Sequence, residues 1–132
     1  MLSGGCQCGA VRYEVEGAMA HHALCHCADC RASSGAPATA WMAYKAENFR
    51  VTRGEAVAYN SSGDSWRHFC GTCGTGLYFI NETALPGIVD IQSATLDDAA
   101  DHAPGAQIQT AERLPYMAGL DALPEFERYP GM

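Results

Sequence analysis

Apolar and polar positions alternate along AVRYEVEG (10–17), and this two-residue period predicts a half-buried strand. Apolar residues run almost without a break through APATAWMAY (36–44), which predicts a strand buried on both faces. NFRVTRG (48–54) and AVAYNSSG (56–63) read as two strands joined near Arg53-Gly54-Glu55. SWRHFC (65–70) leads into a C-G-T-C-G turn, and GLYFIN (76–81) leaves it. GIVDIQSATL (87–96) is rich in β-branched residues and predicts a further strand. Between the first two strands HHALCHCADC reads as a loop. ADCRASSG (28–35) then makes one helical turn before Gly35 and Pro37 end it. From Asp97 onward the periodicity fades and four of the six prolines appear. This tail is expected to wrap a β core as irregular pieces, with one brief helix near Thr95–Ala100, where Asp97 and Asp98 would serve as caps. Short strands at short intervals indicate a mainly β fold, and no linker, repeat or low-complexity tract divides residues 1–132, so a single domain is expected.

Composition narrows the function classes. The chain carries a net charge of −7, and its eight lysines and arginines are scattered. It therefore lacks the basic footprint of nucleic-acid binding and the polybasic stripe that meets anionic lipid. No apolar run approaches the roughly 20 residues of a membrane helix. The opening MLSGGCQCGAVRYE has no basic and apolar leader pattern, so a cytoplasmic protein with reduced thiols is expected.

Seven cysteines change the picture most. They fall into three groups, CQC, CHCADC and CGTC. Cys70 and Cys73, with Gly74 behind them, have the spacing of a zinc knuckle, which supplies two ligands and needs two more. Cys6 and Cys8 are the matching pair. A four-thiolate structural zinc on these residues would tie the start of the chain to a distant turn. Such sites contribute an apparent ~10–16 kcal/mol in small zinc-finger peptides. The alternative is free reduced thiols, or a redox CxxC at Cys70 and Cys73. A redox CxxC usually opens a helix, whereas a strand follows here.

Cys25, Cys27 and Cys30 remain. Three protein ligands with one open position is the usual form of a catalytic zinc site. The competing reading closes the site with His21, His22, His26 or His68. Three thiolates neutralise much of the metal's charge, so the site suits a substrate thiol as a fourth, soft ligand better than hydrolytic water. Arg31, directly after Cys30, and Ser34 are possible substrate contacts, with Ser33 and Gly35 beside them. Arg12, Arg31 and Arg67 are the arginines available to meet an anionic thiol. Trp41, Tyr44, Trp66 and Tyr78 read as core or cross-strand packing. His68 sits where it would hydrogen-bond a thiolate of the CGTC turn.

GGCQCGAVRYE (4–14), CHCADCRASSGAP (25–37) and FCGTCGTGLYF (69–79), taken in this order, resemble the glutathione-dependent formaldehyde-activating enzyme (GFA) family, which includes the centromere-protein-V-like proteins. ATLDD (94–98) and LPEFERYP (123–130) are weaker echoes. The resemblance implies a small, tent-like β zinc fold with two zinc ions. It assigns Cys6, Cys8, Cys70 and Cys73 to structural zinc, and Cys25, Cys27 and Cys30 to catalytic zinc. It also implies a carbon–sulfur lyase acting on S-hydroxymethylglutathione, the adduct of glutathione and formaldehyde. The partners expected are therefore a small thiol and an aldehyde. A non-catalytic glutathione- or thiol-binding module is the alternative. A redox enzyme of the methionine-sulfoxide-reductase type is a third reading, which needs a free nucleophilic cysteine.

Overall fold

The computed structural model describes residues 1–131. The alternation that opens the chain does what a half-buried strand requires. In β2 (Arg12–Val15), Tyr13 and Val15 are buried while Arg12 and Glu14 stay partly in solvent. This strand pairs antiparallel with β1 (Leu2–Gly5) and β5 (Phe49–Arg53) in a three-stranded sheet. An ion pair between Arg50 and Glu14 spans β5 and β2. β1 was not expected from its glycine-rich sequence. Gly4 is needed there because a Cβ would stand 2.4 Å from the Tyr13 hydroxyl.

The larger sheet has seven strands in the order β10-β3-β4-β9-β8-β7-β6. They are β3 (His21–Cys25), β4 (Thr39–Lys45), β6 (Ala56–Ser62), β7 (Ser65–Cys70), β8 (Gly76–Ile80), β9 (Ile88–Gln92) and β10 (Ala106–Ile108). All neighbours are antiparallel except β10, which joins β3 in parallel. Val11, Tyr13 and Val15, at and beside β2, form one buried cluster with Met42, Tyr44, Leu77, Val89 and Ile91 of the larger sheet.

β4 and β9 are largely buried on both faces, β4 through its mostly apolar run and β9 with Asp90 as the one acid among its apolar residues. Register sorts the two faces. One row across the sheet reads His22, Met42, Ile91, Tyr78 and His68, and its Met42 and Ile91 belong to the core. The adjacent row, on the opposite face, reads His21, Ala43, Asp90, Phe79 and Arg67. This second face also carries Trp41 and Cys25, two and four residues along from Ala43 and His21 in β4 and β3. The cysteine-bearing helix α1 (Ala28–Ser34) contacts β4 as well.

Three expectations are corrected. His21–Cys25 is a strand rather than a loop, because β4 and β10 supply hydrogen-bond ladders on both of its edges. The helix expected near Thr95–Ala100 is two 3-10 turns, Ser93–Thr95 and Ala99–Asp101. Its strong contacts are lateral: Thr95 Oγ1 lies 2.7 Å from the Tyr13 hydroxyl, and Asp97 takes a two-bond ion pair from Arg12 at 2.5 and 2.9 Å. The tail does not wrap the core. After β10 it continues through 3-10 turns at Thr110–Glu112 and Pro115–Ala122, and nearly all its side chains face solvent. No helix among the described residues is long and apolar enough to cross a membrane.

Candidate functional site

The CQC and CGTC groups meet where the start of the chain lies beside the turn after β7. The sulfurs of Cys6, Cys8, Cys70 and Cys73 all fall within 4.8 Å of one another, with Cys6 to Cys8 at 3.6 Å and Cys8 to Cys70 at 3.8 Å. Tetrahedral zinc with Zn–S bonds near 2.3 Å separates its sulfurs by about 3.8 Å, so the donor set fits that ion. A disulfide would bring two sulfurs to about 2.05 Å, and all seven cysteines are free. Backbone N–H groups already point at sulfur, from Val11 to Cys6 at 3.2 Å and from Thr72 and Cys73 to Cys70 at 3.4 and 3.5 Å. The last two require the tight turn that Gly74 closes at φ +82°. The Thr75 hydroxyl, 3.2 Å from the Cys73 sulfur, is the main cause that lowers this thiol's pKa to about 5.

The CHCADC group gathers from six consecutive residues. Cys25 ends β3, Cys27 caps α1 and Cys30 lies in its first turn. The three sulfurs lie within 4.8 Å of one another, with Cys25 to Cys30 at 3.7 Å. The Cys30 N–H donates to the Cys27 sulfur at 3.2 Å, the bond of an N-cap made by a thiol. Burial opposes ionisation of Cys27, yet hydrogen bonds from the Cys30 thiol and N–H outweigh it and lower its pKa. Burial raises Cys30 to about 12. Loading a metal here must therefore release protons.

No histidine completes this group. His26 is fully buried and its Nε2 lies 2.8 Å from Gln107 Oε1 in β10, so its ring is committed to the tail. His22 Nε2 lies 2.7 Å from the Ser93 hydroxyl on the core side of the sheet. His68 stacks on Tyr78 at 4.3 Å between ring centroids and makes no bond to a thiolate. Among the described residues the candidate metal group has three members. These three thiols instead line a cavity of about 300 Å³.

Trp41 and Phe79, at 6.0 Å between centroids, form the cavity's apolar wall, so Trp41 is a pocket residue as well as a packing one. Arg67 lies 5.3 Å over the Phe79 ring, with a guanidinium nitrogen 4.0 Å from the Cys30 sulfur. It also lines a neighbouring cavity of about 550 Å³ that includes Ser33, Ser34 and the Gly74–Gly76 turn. Ser34 thus faces that second space, although its hydroxyl donates to the Cys30 carbonyl at 2.7 Å. Arg31 does not line the cavity at the three thiols. Two further residues line it: Asp90, which carried no functional signal in the sequence, and His21, considered there only as a fourth metal ligand. Asp90 is only 8% exposed, and one of its carboxylate oxygens is buried without a hydrogen-bond partner. His21 stands 3.8 Å from that oxygen. A legible cue for Asp90 was the single acid inside the apolar run IVDIQ.

The family model for the glutathione-dependent formaldehyde-activating enzyme matches residues 1–112. Among solved structures, the crystal structure of a Rhodobacter sphaeroides protein is similar at 26% identity and a TM-score of 0.64, covering 80% of this chain and 98% of that one. No curated protein matches the chain. With its family model spanning all three cysteine groups, the chain belongs to the glutathione-dependent formaldehyde-activating enzyme family.

Proposed function

From membership of this family, we propose that the chain is a zinc-dependent carbon–sulfur lyase-type enzyme that makes or cleaves the adduct of a small thiol and an aldehyde, of the S-hydroxymethylglutathione kind. The observation that carries this reading is three sulfurs at metal-binding spacing, with no fourth ligand among the described residues and a cavity beside them. Cys25, Cys27 and Cys30 would hold one zinc at the reacting end, and Cys6, Cys8, Cys70 and Cys73 a second that staples the fold. A zinc on the three thiols would supply the positive charge and soft acceptor that favour a substrate sulfur as thiolate in the fourth position.

The chain's own residues do the rest. In cleavage, RS–CH2–OH loses its hydroxyl proton, the C–S electron pair passes to sulfur, and thiolate and formaldehyde separate. Trp41 and Phe79 exclude water on one side of that bond. Arg67 stands against Cys30 and offsets the negative charge that gathers on sulfur. The 300 Å³ cavity suits the reacting end of a thiol, and the adjoining 550 Å³ space, with Ser34 at its wall, suits its polar body. Holding thiolate and aldehyde carbon together supplies much of the rate, and no protein nucleophile is needed.

Native mass spectrometry of the wild type and Cys27→Ser tests the division. The expected result is two zinc ions, falling to one in a variant that still folds. Release of formaldehyde from S-hydroxymethylglutathione above the uncatalysed rate, lost in that variant, then tests the reaction. Two zinc ions and thiol affinity without turnover would leave a thiol-binding module. One zinc in both proteins would sink the thiolate mechanism.

A further inference from the structure

The row His21, Ala43, Asp90, Phe79, Arg67 crosses five neighbouring strands on the face that bears the three thiols. Side chains at paired positions in such a row stand side by side. Ala43, fully buried and with no side chain beyond Cβ, leaves a gap between His21 on one strand and Asp90 on the other. His21 Nε2 and an Asp90 oxygen face each other across it at 3.8 Å, too long for a direct hydrogen bond. Both residues line the cavity of Cys25, Cys27 and Cys30.

A carboxylate buried without a partner is costly, and native structures keep few of them. The core does not require one here. An apolar side chain would serve at this position, as Ala43 and Phe79 do on either side of Asp90 in the same row. What the site holds instead is an acid with a free oxygen, a histidine to take or return its proton, and an opening to the thiols.

We propose that Asp90, positioned by His21, is the general acid–base group of this cavity, moving the hydroxyl proton of the bound thiol–aldehyde adduct. The inference rests on the lyase reading above and assigns the group that reading lacks. In cleavage the Asp90 carboxylate takes the hydroxyl proton as the C–S bond breaks and its electron pair goes to sulfur. In synthesis the thiolate attacks the aldehyde carbon, and the Asp90 carboxyl donates its proton to the oxygen that becomes the hydroxyl. No other reactant is needed, and His21 passes the proton to or from solvent through its half-exposed ring.

Burial raises the Asp90 pKa above the ordinary carboxylate value, and His21 offsets part of that. The charged or titratable groups facing the same cavity are His21 from β3, Arg67 from β7, Asp29 from α1 and the three thiols. Cleavage should therefore rise with pH through the raised Asp90 pKa, and synthesis should fall through it. The reaction's proton-transfer component is typically worth about 10²–10⁴-fold.

The test compares zinc-loaded wild type, Asp90→Asn and Asp90→Val. Zinc content and circular dichroism identify the folded variants. Formaldehyde release from S-hydroxymethylglutathione should fall about 100-fold or more in kcat for Asp90→Asn, with KM changed little and the acid limb of the pH profile gone. Binding supplies a readout independent of turnover. Wild type should hold S-hydroxymethylglutathione, kept formed by excess formaldehyde, about tenfold more tightly than S-methylglutathione, which lacks the hydroxyl, and Asp90→Val should erase that preference. If Asp90→Asn turns over within about threefold of an active wild type, or if Asp90→Val keeps the hydroxyl preference, the assignment is overturned while the lyase reading stands. If the wild type turns over no adduct and shows no hydroxyl preference, both are overturned.

Discussion

The two cysteine centres present the same donor chemistry in opposite settings. The four-thiol group closes on itself. Its ligands come from two distant turns, its sulfurs are served by backbone N–H groups, and all four positions are filled from the chain. The three-thiol group comes from one short stretch, sits against the sheet beneath Trp41 and Phe79, and faces a cavity. Sulfur spacing does not separate them, at 3.6–3.8 Å in the first and 3.7 Å in the second. What differs is the fourth position and the ground around it. A centre that joins remote segments is placed to stabilise. A centre made from neighbours in sequence, opening on space, is where the proposed reaction would take place.

The contrast breaks most sharply at the ligands. Cys70→Ser should remove the closed centre and unfold the chain at ordinary temperature, because a structural zinc contributes on the order of 10 kcal/mol to small zinc-dependent folds. Cys27→Ser should instead leave a cooperative thermal transition and lose one metal. Thermal denaturation with metal analysis checks both, and equal losses of stability would erase the distinction.

A smaller effect separates the open centre from its packing. Ala43→Leu should fill the gap between His21 and Asp90, cost about 1–3 kcal/mol by overpacking, and block adduct turnover while both metals stay bound. Denaturant unfolding, turnover and zinc content together read it out. Gln107→Leu should leave buried His26 Nε2 without its partner and cost about 1–3 kcal/mol, which tests whether the tail steadies the loop of the open centre.

The smallest effect lies near the closed centre. Arg12 holds Asp97 below the ordinary carboxylate value through their hydrogen bonds. Its folded pKa is depressed, so the contribution is present above the ordinary carboxylate range and is lost as pH falls through the depressed value. Both side chains are about one-third or more exposed, so Asp97→Asn should cost less than about 1 kcal/mol, and high salt should shrink the difference. Melting curves at neutral pH and in acid should converge for variant and wild type as pH drops.

Much of this was legible in the chain. The period of AVRYEVEG, the unbroken run of APATAWMAY and the β-branched residues of GIVDIQSATL announced β2, β4 and β9, because local periodicity is a property of sequence alone. The three cysteine groups were legible for a similar reason: ligand spacing within each group is short-range. β1 was not, since its Gly4 is dictated by contact with Tyr13, and β3 was not, since its ladders come from β4 and from β10, which begins 81 residues after Cys25. The tail's irregular and short 3-10 pieces were legible, but its exposure and the β10 strand within it were not, because proline content marks irregular backbone and says nothing of what it packs against.

Sequence by itself thus determined a mainly β chain and three thiol groups, which the structure gathers into clusters of four and three. Only the tertiary structure decided that His26, His22 and His68 are committed elsewhere, and that Asp90 and His21 meet across Ala43 beside the open centre. The physical reason is register. Which side chains share one face of a sheet depends on how strands align, and alignment is set by hydrogen bonds between segments that the order of residues keeps far apart.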